Sequence, residues 1–468
     1  MGVVLDRRRF LAGVAGLGAL AAPVVARSAR RPRVVVVGAG LAGLTAAHDL
    51  QRTGWDVVVV EARSRVGGRV WTIRDAFSEG QHAEAGGEFI DTGHTVLRRY
   101  LHEFGLQTEN VGAGGDALDG IAYLNGKRRL EDGVFTPAVL DDADRFWERL
   151  DQMADEIDIP DPGDGNHFDR RSIGSLIDEL DLGTLARLSA TIGIHDDYTA
   201  EPGDVSLLFA VLGAAAAANQ SDEGVEVWRV RGGNDQLPRA LAAELGSSVV
   251  LDAPATAISQ DGRGVVVEVG GERLDADYCV IATPLPPLRR VRFTPALAAS
   301  LRSAIAEARY GVGTKTMIQY RRRFWRAQGF SGDTTTDLGF NTTWEATDVQ
   351  SGAPGILIAY TAGRNGARLT ALADDQRIGE VTAGLERVYP GSRALVDRTF
   401  TAAWANEQYT GGTYVAYAPG QITRFWKPLR RPAGRLYFAG EHTDPLTGYM
   451  EGAMRSGLRV AAEIRGRR

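Results

Sequence analysis

The chain has 468 residues, of which 44% are hydrophobic and 24% are charged. This composition is typical of a globular protein and excludes a chain that is disordered or coiled coil throughout. The formal net charge is −6, which argues against a nucleic-acid surface because such surfaces carry clustered positive charge, so we expect a small-molecule partner.

The first 26 residues differ from the rest of the chain. Three arginines, Arg7 to Arg9, precede Phe10 and an apolar run that ends in small residues at Ala26. This pattern predicts a twin-arginine export signal, and hence a protein that folds before export and acts in the periplasm or outside the cell. A retained amino-terminal anchor is the alternative, although the run is short and rich in glycine. No later segment predicts a membrane span, so the mature chain is expected to lack a stable anchor.

A nucleotide-binding βαβ unit is predicted next. A strand, a glycine turn, a helix, a second strand and an acid follow one another, as in dinucleotide-binding folds. Gly38 allows the tight turn, Gly40 lets the backbone approach a pyrophosphate, and Gly43 lets helix and strand pack closely. The helix dipole would meet the anion, and an acid would bind the ribose hydroxyls. In chain order the parts are 33–37, Gly38-Ala-Gly40-Leu-Ala-Gly43, a helix through Leu50, 56–60 and Glu61.

The remaining elements predict a discontinuous nucleotide domain that alternates with a second domain. The single cysteine, Cys279, lies in an apolar run and is expected to be a free, buried thiol. Strands are predicted within 247–258, 264–269 and 278–281, around 312–320, and at 355–361 and 435–441. Helices are predicted at 143–157, 172–188 and 374–388.

Lysine is rare in this chain. Of 53 basic residues only three are lysines, and Lys315 lies in the strand-like run from Tyr310 to Tyr320. A lysine kept among apolar and β-branched residues indicates a need for a compact ammonium group in place of a guanidinium. The alternative is a lysine at a strand end with its head in water.

Four separated blocks of this sequence resemble the flavin-dependent amine oxidases, a family that includes monoamine oxidases, polyamine oxidases and L-amino-acid oxidases. The resemblance covers nearly all of residues 33–465 and implies FAD, rather than a nicotinamide, as the cofactor. The blocks are the βαβ glycines, Arg63-Ser-Arg65-Val-Gly67-Gly68-Arg69, the segment around Lys315, and a carboxyl-terminal block with Trp404, Gly412-Thr413-Tyr414, Gly440-Glu441 and Gly448-Tyr449-Met450.

The resemblance also implies the fold. We expect an α/β protein in which a Rossmann-like FAD-binding domain of the glutathione-reductase type, with amine oxidase topology, is interleaved with an α+β substrate-binding domain. The FAD-binding domain is predicted at 32–108, 225–300 and 405–468. The substrate-binding domain is predicted at 109–224 and 301–404.

Cofactor residues follow from the same resemblance. Thr413 stands where animal monoamine oxidases carry the cysteine that bonds to the flavin, so FAD is expected to be non-covalent. Tyr449 and Met450 would begin a helix whose N–H donors and dipole point at the flavin pyrimidine. The residues expected to bind FAD are Gly38, Gly40, Gly43, Glu61, Ala62, Arg63, Gly67, Gly68, Arg69, Gly86, Gly87, Glu88, Ala255, Gly440, Glu441, Tyr449 and Met450.

Four residues are expected to be catalytic in the implied reaction. Tyr414 and Tyr449 would flank the substrate amine, Lys315 would hold a water against flavin N5, and Trp404 would pack near the ring. A hydride equivalent would pass from the α-carbon of the amine to flavin N5. Water would hydrolyse the imine to an aldehyde or ketone and ammonia or an amine, and O2 would reoxidise the flavin to give hydrogen peroxide.

The substrate is less clearly indicated. The segment 85–91 carries the acids Glu88 and Asp91 but no arginine, and residue 449 is tyrosine where amino-acid oxidases commonly carry tryptophan. Both points favour an amine over an amino acid. Glu88 or Asp91 would hold the distal cation of a diamine, or would instead hydrogen-bond to the flavin ribityl chain or to backbone.

Two alternatives to an amine oxidase are kept. One is an L-amino-acid oxidase that gives a 2-oxo acid, ammonia and hydrogen peroxide, and the other is a flavin-binding non-oxidase or a dehydrogenase acting on C–C bonds. The seven histidines show no HExxH or other ligand spacing, so no metal site is predicted. The sequence leaves the oligomeric state open, with a homodimer as one option.

Overall fold

The computed structural model describes residues 31–111, 118–159, 161–218 and 225–467. The predicted export signal at 1–26 lies outside these residues. Within the described ranges, no helix combines the length and the apolar character needed to cross a membrane.

Strands and α-helices are numbered here in chain order. The strands are β1 Arg33–Val37, β2 Asp56–Val60, β3 Thr72–Ile73, β4 Ala83–Glu84, β5 Thr108–Asn110, β6 Asp119–Leu124, β7 Lys127–Leu130, β8 Trp228–Val230, β9 Val249–Val250, β10 Ala255–Gln260, β11 Val265–Val269, β12 Glu272–Ala276, β13 Tyr278–Ile281, β14 Arg292–Thr294, β15 Thr314–Tyr320, β16 Phe330–Thr336, β17 Thr342–Glu345, β18 Gly355–Thr361, β19 Val396–Ala403 and β20 Leu436–Phe438. The helices are α1 Leu41–Arg52, α2 Thr95–Glu103, α3 Pro137–Ala154, α4 Asn166–Asp169, α5 Ile173–Glu179, α6 Thr184–Tyr198, α7 Leu207–Ala217, α8 Gln236–Leu245, α9 Leu285–Leu288, α10 Ala299–Glu307, α11 Phe324–Ala327, α12 Gly363–Thr370, α13 Asp374–Val388, α14 Gln421–Arg430 and α15 Met450–Arg465.

A five-stranded parallel sheet carries the predicted βαβ unit. Its strand order is β20-β13-β1-β2-β9, so strands far apart in the sequence are neighbours. The valines of β1 are buried, as expected for a strand that is covered on both faces. Helices α1 and α15 pack against each other beside this sheet. The absence of a side chain at Gly457 permits this close approach, since a Cβ atom there would lie only 2.3 Å from the Ala42 carbonyl oxygen.

A seven-stranded sheet forms the second large layer, with the order β19-β15-β18-β17-β16-β6-β7. Its pairs are antiparallel except β16 with β6. Strand β15 lies inside this sheet, where Lys315 is opposite Tyr360 on one side and Ala402 on the other. Because β15 is paired with a strand on each side, the backbone position of Lys315 is fixed by the sheet.

The smaller elements complete the core. A four-stranded sheet has the order β12-β11-β10-β14. Helices α3, α6 and α7 pack together, and the side chains of α7 from Leu207 to Leu212 are buried on all sides. This helical layer carries the end of α6 towards the two large sheets.

The structure confirms most of the predicted elements and the mixed α/β class. The strands at 33–37, 56–60, 278–281 and 355–361, the helix at 374–388 and the buried free thiol of Cys279 are confirmed.

One prediction is wrong, because the helix expected at 172–188 is two helices, α5 and α6. They are separated where Asp181 has φ +48° and Gly183 is the N-cap of the second helix. The Ser172 hydroxyl caps the first, accepting from the Ser175 amide at 3.1 Å.

The predicted domain division stays a prediction. Every strand of the five-stranded parallel sheet comes from the three segments assigned to FAD binding. Every strand of the seven-stranded sheet comes from the two segments assigned to the substrate.

Candidate active site

The glycine turn joins β1 to α1. Gly38 has φ +107°, and a Cβ there would lie 2.8 Å from the Ala282 carbonyl oxygen, so glycine is required. A Cβ on Gly43 would lie 2.0 Å from the Gly38 carbonyl oxygen, which explains the close packing of helix on strand. Gly40 precedes α1, and none of the described residues places an atom within 4 Å of its would-be Cβ. The turn therefore leaves open space before the helix N-terminus.

Glu61 ends the second strand beside this turn. Its carboxylate accepts hydrogen bonds from the backbone N–H of Ala39, at 2.8 Å, and of Arg63, at 2.9 Å. The carbonyl of Glu61 accepts from the Ala253 amide at 2.8 Å, two residues before Ala255 starts strand β10. The segment that holds Ala255 thus lies alongside the strand end.

The arginine and glycine segment folds back onto the same turn. The Gly67 amide donates to the Ala39 carbonyl at 2.8 Å, and a Cβ on Gly68 would lie 3.5 Å from Gly40 Cα. Ala62 is half-buried at the start of this segment. The structure therefore brings the first two predicted cofactor blocks into direct contact.

Arg69 and Glu441 join blocks that are distant in the sequence. Arg69 Nη1 lies 2.9 Å from Glu441 Oε1 and donates to the Thr413 carbonyl at 2.6 Å. The other oxygen of Glu441 accepts from the Gly448 amide at 3.2 Å. Gly440, which has φ +144°, precedes this buried carboxylate. The ion pair compensates a charge that would otherwise be buried alone.

Two buried polar atoms, one beside the glycine turn and one beside Gly440, have no hydrogen-bond partner among the described residues. They are Thr283 Oγ1 and His442 Nδ1. Thr283 lies beside Gly38, with its methyl carbon 3.5 Å from the would-be Cβ there. Buried polar groups are nearly always hydrogen-bonded in native proteins. Together with the open space at Gly40, these atoms fit a polar ligand such as FAD.

The Gly86–Gly87 turn lies among the predicted cofactor residues. A Cβ on Gly86 would lie 1.7 Å from the Arg69 carbonyl oxygen, and one on Gly87 would lie 3.0 Å from Met450 Cγ. Trp404 is buried, and its indole N–H donates at 2.8 Å to the backbone carbonyl that precedes the turn. Met450 begins helix α15. Two of the four predicted blocks, the arginine and glycine segment and the carboxyl-terminal block, therefore meet at this turn.

The ammonium group of Lys315 is directed at the Gly86–Gly87 turn. Nζ lies 2.6 Å from Glu88 Oε2, 3.1 Å from the Gly86 carbonyl oxygen and 3.4 Å from the Glu84 carbonyl oxygen. It also lies 5.2 Å from the centre of the Trp344 ring. The Glu88 carboxylate is the ion-pair partner of Lys315, and its expected contact with the cofactor or a substrate cation stays a prediction.

Tyr414 and Tyr449 come together at the start of α15. The Tyr414 ring lies 3.4 Å from the would-be Cβ of Gly448, the residue directly before Tyr449. The Tyr414 hydroxyl donates to the Asp196 carbonyl at 2.6 Å. The Tyr449 ring meets His94 edge-on, with centroids 5.3 Å apart. Their role in holding an amine stays a prediction, as do the roles of Lys315 and Trp404.

Acidic residues gather beside these tyrosines. Asp196 and Asp197 lie in the last turn of α6. Glu226 has φ +55°, and its amide donates to Asp91 Oδ1 at 2.8 Å, while Asp91 also lies 3.3 Å from His94 Nε2. In the described part of the chain, no basic nitrogen lies within 4.0 Å of the carboxylates of Asp196, Asp197 or Glu226.

Three of these acids have raised pKa values, whereas the pKa of Asp91 is lowered because its interactions with His94 and the Glu226 amide outweigh the effect of burial. Burial, followed by Asp197 and Glu226, raises the pKa of Asp196 to about 8. Burial and Asp91 raise the pKa of Asp197 to about 7, and burial and Asp197 raise that of Glu226 to about 7. Asp197 is also the main cause of a raised pKa for the Tyr449 phenol. All three residues are nonetheless exposed to solvent.

Among the acids of this lining, only Asp91 is indicated by the sequence pattern. Two acids in the last turn of a helix oppose the helix dipole and would have been a signal. The predicted helix ended ten residues too early to reveal it. Within the described ranges, no three His, Cys, Asp or Glu side chains are grouped so as to hold a metal ion.

Comparison with protein families gives a match over most of the chain. A family model described as flavin containing amine oxidoreductase matches residues 41–465. A flavin-containing amine oxidase from Oncorhynchus mykiss is 30% identical over 450 residues, which cover 92% of this chain and 85% of that protein. An L-amino acid dehydrogenase from Synechocystis sp. is 29% identical over 462 residues, covering 92% of this chain and 94% of that protein.

Solved structures with the same fold include two amine oxidases. A putrescine oxidase bound to putrescine superposes with a TM-score of 0.83 at 26% identity, covering 93% of this chain and 99% of that chain. Cyclohexylamine oxidase from Brevibacterium oxydans gives the same TM-score of 0.83 at 26% identity, with 93% and 99% covered.

Proposed function

This chain belongs to the family of flavin containing amine oxidoreductases and is an FAD-dependent amine oxidase; we propose that its preferred substrates are amines with a second positive charge, such as diamines. The observation that carries this proposal is the acidic lining beside Tyr449, formed by Asp91, Asp196, Asp197 and Glu226. Asp91 is paired with His94, and an ammonium group would supply the cationic partner that Asp196, Asp197 and Glu226 lack among the described residues.

Three features of the lining are unfavourable in the absence of a cation. The last turn of α6 is the negative end of its dipole, yet it holds Asp196 and Asp197. Burial raises the pKa values of Asp196 and Asp197, and neighbouring carboxylates raise them further, as expected for like charges held close together. Glu226 adopts a left-handed backbone conformation that is costly for a residue other than glycine. Unfavourable features of this kind cluster at functional sites.

The proposed mechanism divides the work among the residues. The carboxylates of the lining bind the distal ammonium, and the rings of Tyr414 and Tyr449 orient the reacting amine between them. Ion pairing at the lining leaves the reacting nitrogen free to be neutral, as oxidation requires. When bound, FAD accepts the two electrons of the amine oxidation. Gly38, Gly40, Glu61, Arg69 and Glu441 are proposed to bind FAD, non-covalently because Thr413 replaces the bonding cysteine.

Amino acids are the second candidate, favoured by the similarity to an L-amino acid dehydrogenase. An amino-acid substrate needs a cation for its carboxylate. Arg229 forms ion pairs with Glu88, at 3.2 Å, and with Asp348. Its charge is therefore already compensated within the protein, which favours amines over amino acids as substrates.

A panel of substrates tests the proposal. The purified protein with FAD bound would be mixed anaerobically with 1,4-diaminobutane, butylamine and L-norvaline, and flavin bleaching followed at 450 nm. We expect the diamine to bleach the flavin at the lowest concentration. Faster bleaching by L-norvaline would assign the chain to amino-acid oxidation, and equal response to both amines would remove the role of the lining. Adding air would then show whether O2 reoxidises the flavin.

Export by the twin-arginine route is a further proposal, supported by Arg7, Arg8 and the apolar run up to Ala26. Replacing Arg7 and Arg8 by lysine should keep the protein in the cytoplasmic fraction. An unchanged distribution between cytoplasmic and periplasmic fractions would contradict this route.

A further inference from the structure

The side chain of His94 contacts one of the two tyrosines of the candidate site. His94 is the N-cap residue of α2, and its side chain is 1% exposed. Its ring meets the Tyr449 ring edge-on, with centroids 5.3 Å apart and an angle of 67° between the planes. Aromatic rings favour this geometry at such distances. Tyr414, in contrast, is held through its hydroxyl, which donates to the Asp196 carbonyl at 2.6 Å. The two tyrosines are thus held in place by different means.

Asp91 fixes the orientation of the His94 ring. Its backbone N–H donates to Nδ1 at 3.0 Å, and its carboxylate Oδ2 lies 3.3 Å from Nε2. Because Nδ1 accepts from an N–H group, the ring proton is on Nε2, beside the carboxylate. Asp91 is itself held, since its Oδ1 accepts from the Glu226 amide at 2.8 Å. Both ring nitrogens of His94 therefore have partners on one residue, and the ring cannot rotate without losing them.

The backbone at His94 is also tied to helix α15. Glu451, which is 1% exposed, accepts from the backbone N–H groups of Val96 at 3.0 Å and of Leu97 at 2.8 Å. These amides lie in the first turn of α2, where backbone N–H groups have no partner within their own helix. Glu451 follows Tyr449 by two residues in the chain. Its carboxylate therefore holds together the two segments that carry His94 and Tyr449.

We propose that His94 is a positioning residue, which holds the Tyr449 ring in the orientation that the reacting amine requires. Asp91 orients the histidine ring, and the histidine ring restricts the rotation of the tyrosine ring that it meets. The inference rests on the proposed function, because orienting the amine is the role given there to Tyr449. It applies to every substrate whose amine docks at Tyr449, with or without a second charge.

The chain contains a matched control, the pair of His48 and Tyr100. The His48 side chain is 2% exposed, its Nε2 lies 2.7 Å from Glu244 Oε2, and its ring meets Tyr100 edge-on at 5.6 Å and 65°. Burial, carboxylate partner and ring geometry therefore resemble those of His94. The His48 ring also meets Phe104 edge-on at 5.9 Å. Its loss should therefore cost at least as much stability as the loss of the His94 ring.

This control lies far from the candidate site. Asp49, the neighbour of His48, pairs with Arg465 at the end of α15 opposite to Tyr449. That helix has 16 residues and is therefore about 24 Å long. A variant of His48 thus measures the general cost of losing such a ring, without a direct effect on the tyrosines.

The test compares H94Q with H48Q in the protein with FAD bound. Glutamine removes the ring at either position but keeps an amide that can donate to the carboxylate. We expect H94Q to slow flavin reduction at saturating amine by on the order of 10-fold, because a small displacement near the reacting atoms is costly. H48Q should leave this rate unchanged, although both variants should lower the melting temperature. Anaerobic stopped-flow mixing with butylamine and 1,4-diaminobutane measures the rate.

A double variant shows whether His94 acts through Tyr449. In a Y449A background the ring that His94 positions is gone, so adding H94Q should slow flavin reduction no further. The flavin-to-protein ratio of H94Q should equal that of the unchanged protein, because His94 is assigned to the substrate amine and not to FAD. This ratio separates a loss of positioning from a loss of cofactor.

Three results would overturn the inference: an unchanged rate in H94Q, equal slowing by H94Q and H48Q, or slowing by H94Q that persists in the Y449A background. If H94Q does not fold, H94F provides the second variant. It keeps a ring against Tyr449, and its rate should stay within about threefold of that of the unchanged protein. Slowing of H94F by about 10-fold or more would refute a role of the ring at Tyr449.

The inference and the proposed substrate class can fail separately. The preference for a diamine is the ratio of the two amines in the unchanged protein, whereas the role of His94 is the slowing that H94Q causes. H94Q should slow both amines equally, and slowing of the diamine alone would assign the effect to the acidic lining and overturn the role at Tyr449. If only L-norvaline reduces the flavin, the amine proposal has failed, and the same variants are compared with L-norvaline.

Discussion

The candidate site has a cofactor side and a substrate side, and the carboxylates of the two sides differ in whether the protein supplies partners for them. On the cofactor side, Glu61 accepts two backbone N–H groups and Glu441 pairs with Arg69. On the substrate side, Asp196 and Asp197 lie together, and no basic nitrogen in the described ranges is within 4.0 Å of them. The difference indicates where each ligand supplies charge: the cofactor side is complete in itself, whereas the substrate side has an excess of negative charge that suits a cation.

Removing one partner on the complete side should have the largest effect. E441Q leaves Arg69 without its ion pair and takes an acceptor from the Gly448 amide. We expect a loss of about 3 kcal/mol in the free energy of unfolding of the apoprotein, as for other broken buried pairs, and a lower flavin-to-protein ratio after purification. Urea unfolding and the absorption spectrum measure the two effects.

A surface pair provides the control for this variant. Glu380 lies 2.6 Å from Arg368, and both side chains are more than two-fifths exposed. E380Q should cost less than about 1 kcal/mol because water screens such pairs. If E441Q is as mild as E380Q, the cofactor side does not depend on its internal pairing.

Neutralising one acid on the incomplete side should change specificity. D197N removes a carboxylate beside Tyr449, and we expect the KM for a diamine to rise about 10-fold, which corresponds to about 1.4 kcal/mol. The KM for a monoamine of the same length should change little, because it has no distal charge. Steady-state kinetics with 1,4-diaminobutane and butylamine give the ratio. An equal rise in KM for both substrates would show that Asp197 affects the shape of the site and does not bind the distal ammonium.

The acids on the substrate side should make both the stability of the apoprotein and its affinity for a diamine depend on pH. The pKa values of Asp197 and Glu226 are raised to about 7 and that of Asp196 to about 8, so the folded protein keeps protons that the unfolded chain has released. The stability of the apoprotein should therefore fall as the pH rises from about 5 to about 8. Diamine binding should strengthen over the same interval, because the carboxylates ionise.

Melting temperatures and dissociation constants at pH 5, 6, 7 and 8 measure these two trends. D197N should flatten both of them. A melting temperature that rises steadily from pH 5 to pH 8 would contradict the raised pKa values.

The smallest effect is expected from Tyr414. Y414F keeps the ring but removes the hydroxyl that donates to the Asp196 carbonyl at 2.6 Å. The loss should be about 1 kcal/mol of stability, with turnover changed less than about threefold if the ring face orients the amine. Y414A, which removes the ring, should be much slower. Equal rates for the two variants would mean that the ring is dispensable.

The cofactor side could largely be predicted from the sequence, and the substrate side could not. Gly38 and Gly43 are constrained by backbone conformation or close approach over a few residues, and Gly40 leaves open space between them, so the spacing of the three reveals them. Asp91, Asp197 and Glu226 meet only through tertiary packing.

Glu88 lies between these cases. Its sequence neighbourhood shows an acid after two glycines, but nothing local indicates that Lys315 and Arg229 converge on it. Likewise the left-handed Asp181, which splits the predicted helix at 172–188, has no signal strong enough to override a helical pattern.

The strand order of the parallel sheet bears on how the protein is made. Strand β13 has β1 on one side and β20, near the end of the chain, on the other. During synthesis β13 is left as an open edge until 436–438 have been added, and Arg69 has no Glu441 to pair with. Pairing across such long separations is slow and exposes incomplete surfaces. The cofactor site can therefore be completed only once 436–441 have been synthesised, and a chain without these residues would lack the Arg69–Glu441 pair.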